Sequence, residues 1–299
     1  MGAVSFPRHP AAPILGAAWL CYAALSLLWA KGDPVTASLQ LAGLALGFSL
    51  GVWLKSIRLL WIGFYMVVGI ALLLSGLNWL QTGSNELVNP NMLGCVLAVA
   101  LAAAIGYRHW AFIPVALGGL WFCESRTALI GACAAVLVGF WQRFRATGIL
   151  LALLAVLCIL TATKVSAGDS LWHRLGVWQD TLNHLTFWGS GWGSFSAEYA
   201  GFAVKRNMTM LLAPHAYNDI LEMLFELGIG STFLWAAIAF SLEGQNPTDR
   251  LVCLTFLTLS LTYFPLVVAG PMVALSLGHL SQTKDESPWL VGSCLPRTT

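Results

Sequence analysis

Ala213–Ser231 reads APHAYNDILEMLFELGIGS, and the apolar run it opens continues to residue 241. A run of roughly 20 apolar residues crosses a bilayer as a helix, so residues 217–241 are expected to form a membrane span. Its first half nevertheless carries Asp219, Glu222 and Glu226. Carboxylates inside a bilayer are costly unless they are paired or face the bundle interior. One account makes Asp219 and Glu222 an acidic helix start at the positive end of the dipole. That account leaves Glu226 and the preceding His215 unexplained. A helix beginning at Pro214 puts His215, Asp219, Glu222 and Glu226 on one face, because they are spaced four, three and four. The residues therefore allow a functional face or a cap plus one buried, paired acid.

The rest of the chain has the same apolar character. Of 299 residues, 58% are hydrophobic and 9% charged, where a soluble domain carries about a quarter charged residues. The mean hydropathy is +0.76, and 14 tryptophans suit the two membrane interfaces. A net charge of +2 gives no basic field for nucleic acid. Seven cysteines lie mostly in apolar runs without a CxxC pair, so they read as small hydrophobes rather than a disulfide or zinc framework. The N-terminus does not read as a cleavable signal, and Phe6 stands where a myristoylation pattern needs a hydroxyl.

The expected fold is all-α: a polytopic transmembrane helical bundle of about ten spans. They are read near residues 11–30, 35–54, 59–80, 91–107, 111–123, 126–142, 148–164, 217–241, 250–270 and 271–282. Residues 1–281 form one transmembrane domain and 282–299 a polar cytoplasmic tail. One set of short loops holds Arg8, Lys55, Arg58, Arg108, Arg143, Arg145, Arg250 and Lys284, whereas the opposite set holds little beyond Lys31 and Arg126. Positive charge marks the cytoplasmic side, so both termini are expected inside. The long connection 165–216 is then periplasmic. Leu171, Leu175, Trp178 and Leu182 recur at helical spacing in it, predicting a short amphipathic helix at the membrane surface, followed by a glycine turn at Gly189–Gly193.

Further polar clusters fall on that same outer face. Asn89-Pro90-Asn91 is an ordinary helix start or a substrate contact. Glu124-Ser125-Arg126-Thr127 is either an internal ion pair at a tight turn or a fixed cation aimed at an anionic ligand. Arg174, close to His173 and His184, either snorkels or binds, and Lys205 and Arg206 add positive charge to the loop. Gly189-Ser190-Gly191-Trp192-Gly193 lacks the strand–turn–helix setting of a dinucleotide site. Together, arginines, an imidazole and carboxylates suit a lipid-linked diphosphate, with arginine charge on the leaving group and a base for an attacking hydroxyl.

The order NPNMLG, SRTALIG, RLGVWQDTL with GSGWGSF, and HAYNDILEMLFELGIG resembles the O-antigen ligase and polymerase superfamily, which includes the O-oligosaccharyltransferases that glycosylate pilins. The resemblance covers roughly residues 85–245. It implies a bacterial inner-membrane glycosyltransferase working at the periplasmic face. Such an enzyme moves a glycan from undecaprenyl diphosphate to an acceptor hydroxyl on lipid A core, another glycan or a protein, with no nucleotide sugar, cofactor or metal. The family's diphosphate-holding arginines correspond by motif to Arg126 and Arg174. Its functional histidine falls on Tyr217 when the chain is aligned on Asn218, Leu221, Glu226 and Gly228. A phenol of pKa about 10 is a poor base near neutrality, so His215 becomes the expected base. His215, Arg174 and Arg126 are thus the expected catalytic residues, and Tyr217, Asn218, Glu222, Arg206 and Asn91 the expected substrate contacts. Ligase is the default reading; polymerase and pilin-glycosylating enzymes differ in the acceptor. A lipid or solute transporter is the competing class, disfavoured because polar residues cluster at one surface and no second copy of the motifs occurs. A catalytically inactive relative with a binding role is the third, resting on Tyr217.

Overall fold

The computed structural model describes residues 11–54, 57–82, 89–123, 125–141, 168–205, 215–242, 247–261, 263 and 265–279. They form α1 (Ala11–Ser26), α2 (Pro34–Trp53), α3 (Arg58–Thr82), α4 (Pro90–Tyr107), α5 (Phe112–Cys123) and α6 (Arg126–Trp141). There follow α7 (Gly168–Asn183), α8 (Phe195–Lys205), α9 (Asp219–Leu227), α10 (Ser231–Leu242), α11 (Pro247–Ser260) and α12 (Pro265–His279). A single 3-10 turn, Gly228–Gly230, joins α9 to α10. No strand occurs among the described residues. Three helical stretches are long and apolar enough to cross a membrane: Pro34–Trp53, Leu59–Asn78 and Asp219–Leu242. Shorter apolar helices include α1, α5 and most of α4. The expected span at 148–164, the tail from 282, Glu124 and Arg206 lie outside the described residues.

The centre is α4. Every residue from Leu97 to Ala104 is fully buried, with α5, α6 and α11 packed around it. Its alanines let neighbouring backbones approach closely, the dominant packing device where lipid removes the hydrophobic drive between helices. A second close contact joins α2 to α12. A Cβ on Gly47 would lie 2.2 Å from the Pro271 carbonyl oxygen, and one on Gly51 2.1 Å from that of Leu275. By contrast, α3 is peripheral: Trp61, Tyr65 and Val68 form its buried stripe, while Met66, Val67, Ile70 and Leu73 are exposed apolar surface.

Two expected boundaries move. Residues 217–241 are not one uninterrupted helix, since the 3-10 turn breaks them after Leu227. The spans expected at 250–270 and 271–282 divide between Ser260 and Pro265 instead, leaving Pro271 inside α12. Pro265 takes the first helical position, where a missing N–H costs nothing. Pro271 is tolerated because a packed neighbour accommodates it, here the glycine face of α2.

One end of the bundle gathers the α1–α2 loop, the starts of α4, α6 and α9, and the α11–α12 turn. Lys31 N–H donates to Ser194 Oγ, and Asn218 Nδ2 donates to the Leu261 carbonyl. At the other end, Thr248 sits against Gly106 and Asp249 meets His279.

Candidate functional site

The segment before α9 is not helical. Tyr217 has φ 55, in the left-handed region that non-glycine residues rarely adopt. Asn218 is extended and caps α9, its side-chain oxygen accepting from Leu221 N–H at 3.1 Å. A helix starting at Pro214 is therefore ruled out, since α9 begins at Asp219. His215 reaches the acids by another route. The chain folds back, and His215 Nδ1 lies 2.8 Å from Glu222 Oε1 while Ala216 N–H donates to Glu222 Oε2 at 2.8 Å. In the tautomer where Nδ1 donates to the Glu222 oxygen, the neutral imidazole keeps its lone pair on Nε2.

The other two acids bind different neighbours. Asp219 Oδ2 accepts from Leu266 N–H at 2.8 Å and from the Ser260 hydroxyl at 3.4 Å, satisfying a first-turn donor of α12 that its own helix cannot serve. Glu226 Oε1 accepts from Phe195 N–H at 3.0 Å, at the start of α8. Three buried carboxylates thus tie α9 to its own preceding loop, to α12 and to α8. None of them forms a capping box with Asn218.

The glycine turn closes this arrangement. Gly189, Gly191 and Gly193 have φ of 75, 98 and 77. Ser190 and Gly191 N–H donate to the carbonyls of Phe225 and Glu226 at 2.9 and 2.8 Å. A Cβ on Gly189 would lie 2.2 Å from the Glu226 carbonyl oxygen, so only glycine fits. On its other side the turn meets the α1 end, where Ser26 Oγ accepts from Trp192 N–H at 3.0 Å. It is a wedge between α1 and α9, not a flexible hinge.

Between α2, α9 and this turn lies a cavity of about 390 Å³. His215, Asp219, Glu222 and Glu226 all line it, together with Asp33 and Trp192. No lysine or arginine is among its described lining residues. Asp33 stands at the exposed N-cap of α2, where hydrogen bonds from the Thr36 hydroxyl and from the Thr36 and Val35 N–H groups hold its carboxyl below the usual range. Asp33 and Trp192 were missed by the motif reading. The only sequence signal for the first was an acid before a proline-initiated helix, and for the second its place inside the glycine turn.

Of the other expected residues, Arg174, Tyr217, Asn218 and Asn91 are not among the described lining residues of this cavity. Arg174 stands 5.4 Å from the Tyr217 ring centroid, and His173 meets the same ring edge-on at 6.0 Å. Trp178 Nε1 donates to the Ala216 carbonyl at 2.8 Å, so α7 docks on the loop that carries His215. Tyr217 and Arg174 form their own cluster and do not line the cavity. The amphipathic helix α7 buries Val177, Asp180 and Thr181, whereas Leu175 and Leu182 are exposed. Of the expected apolar stripe, Leu175 and Leu182 face outward while Trp178 packs on the Ala216 loop. Asn91 is exposed at the start of α4, its N–H donating to Asn89 Oδ1 at 3.0 Å. Arg126 begins α6, where Ser125 Oγ accepts from Ala128 N–H at 3.4 Å. His184 Nδ1 contacts the Asp180 carbonyl at 2.8 Å and its ring stacks on Phe202, a packing role. No family model and no curated protein matches the chain.

Proposed function

We propose that the protein is a membrane glycosyltransferase of the O-antigen ligase type, which moves a glycan from undecaprenyl diphosphate to an acceptor hydroxyl. The observation that carries this reading is the His215–Glu222 pair at 2.8 Å on the wall of the cavity. Glu222 orients the imidazole and stabilises it once protonated, as a carboxylate does for a catalytic histidine in acyl transfer. In the proposed step the acceptor oxygen attacks the anomeric carbon of the donor sugar, and its proton passes to His215 Nε2. The bond from that carbon to the diphosphate oxygen breaks, and the electron pair leaves with undecaprenyl diphosphate. Arg174, with Arg126 and Arg206, supplies the cationic charge that steadies the departing diphosphate.

In this reading the bundle has about ten spans and sits in a bacterial inner membrane with the cavity facing the periplasm. The support is the lysine and arginine bias of the short loops. Lipid A core is the default acceptor. A polymerase or a pilin-glycosylating enzyme runs the same chemistry on a different hydroxyl. The test is transfer from undecaprenyl-diphosphate-linked glycan by the purified protein in nanodiscs. His215→Ala should abolish transfer while Tyr217→Phe retains it, and the opposite pattern overturns the assignment of the base.

A further inference from the structure

The cavity has more acidic residues in its wall than proton abstraction alone requires. Asp33, Asp219, Glu222 and Glu226 line it, without any lysine or arginine among the described lining residues. Of the described cations, Lys31 pairs with Glu198 at 2.6 Å, and Arg174 stands over Tyr217. The lining also has an unused donor. Trp192 is 3% exposed, and its indole N–H meets no acceptor among the described residues. A buried donor without a partner costs free energy that a ligand oxygen can recover. Thr36 and Gln40 add a hydroxyl and an amide to the same wall.

An aromatic ring, an unsatisfied N–H and several acceptor oxygens around about 390 Å³ suit a hydroxylated ring, at the small end of ligand pockets. The Asp33 carboxylate at the rim repels a ligand that brings its own negative charge, and the buried acids behind it supply acceptor oxygens without a positive partner among the described lining residues. We infer that the cavity selects an acceptor sugar that is uncharged or bears an amine, and rejects phosphorylated or carboxylated sugars. The term acceptor rests on the glycan-transfer reading; the selectivity of binding does not. A ring oxygen takes the Trp192 N–H, the reacting hydroxyl meets His215, and an amine is drawn to Asp33 at the exposed rim.

Saturation-transfer NMR on the full chain in nanodiscs tests this with glucose, glucosamine and glucose 6-phosphate as probes. Glucose and glucosamine should bind saturably at one competitive site, with the phosphate ester at least about tenfold weaker. Asp33→Asn changes an exposed side chain, and it should narrow the gap between glucosamine and the phosphate ester at least about twofold. Trp192→Phe keeps a ring but removes the donor, and should weaken glucose binding roughly threefold. Equal or tighter binding of glucose 6-phosphate, no saturable binding of any probe, or unchanged selectivity in Asp33→Asn overturns the inference. Selective binding without transfer from the carrier-linked glycan would sink only the glycosyltransferase reading. Transfer to a phosphorylated acceptor that still depends on His215 would sink only the selectivity.

Discussion

Among the described residues, two histidine–carboxylate pairs stand at opposite ends of the bundle. His215 and Glu222 meet at 2.8 Å, with side chains 21% and 6% exposed; His279 and Asp249 meet at 3.1 Å, with side chains 9% and 0% exposed. The chemistry of the two pairs is nearly the same, but their settings differ. His279 closes α12 and Asp249 opens α11, so their contact joins two helix ends, packed against Gly51 of α2. His215 hangs from a non-helical loop and lines a cavity. A pair becomes a candidate base through access and backbone freedom, and a pair with neither is a brace between helices.

The largest expected effect separates the two pairs directly. His215→Ala should lower transfer by about 10²–10⁴-fold, the usual worth of a general base, with little change in thermal stability. His279→Ala should leave transfer per folded molecule within about threefold, while the uncompensated Asp249 costs about 3–5 kcal/mol of stability. Transfer assays and thermal unfolding of both variants check this. Equal losses of transfer would erase the distinction drawn between the pairs.

Glu222→Gln comes next. The amide cannot supply the charge that favours a protonated imidazole, so transfer should fall by about 10–100-fold without unfolding. Gly189→Ala breaks the support behind the cavity instead. Its positive φ alone costs about 1–3 kcal/mol, and its Cβ would press on the Glu226 carbonyl. Lower folded yield with a matching loss of glucose binding is the expected result, measured by size exclusion and NMR.

Tyr217→Phe tests the neighbouring cluster. The ring that Arg174 and His173 contact is kept, so transfer should stay within about tenfold of the parent. The smallest effect belongs to Asp33. Its carboxyl is held below the usual range by Thr36 and Val35. Its contribution to the start of α2 is therefore present above the ordinary carboxylate pKa and lost as pH falls through the lowered one. Asp33→Asn should remove a slight acid-side loss of stability, read from unfolding temperature against pH.

Much of this was legible in the chain. Apolar runs at 11–30, 35–54, 59–80 and 91–107 correspond to helices α1 to α4, because burial or lipid contact along a helix leaves a compositional trace. Asn89 before Pro90 is the N-cap it resembles. The association of His215 with Glu222 was also within reach, though through the wrong geometry. A continuous helix from Pro214 would align them, but the left-handed Tyr217 turn and the Asn218 cap bring them together from outside the helix. Periodicity reports which residues share a side; it does not report a local reversal.

Read as a string of residues, the chain is helical and apolar, acids and a histidine crowd the start of one long apolar run, and glycines recur before α8. Local composition and spacing carry that information. What the acids do depends on packing between distant helices. Asp219 meets Leu266 and Glu226 meets Phe195, partners 47 and 31 residues away. Packing likewise leaves Arg174 and Tyr217 out of the described lining of the cavity that holds His215. Contacts across such distances depend on how whole helices pack, and no pattern of neighbouring residues encodes them.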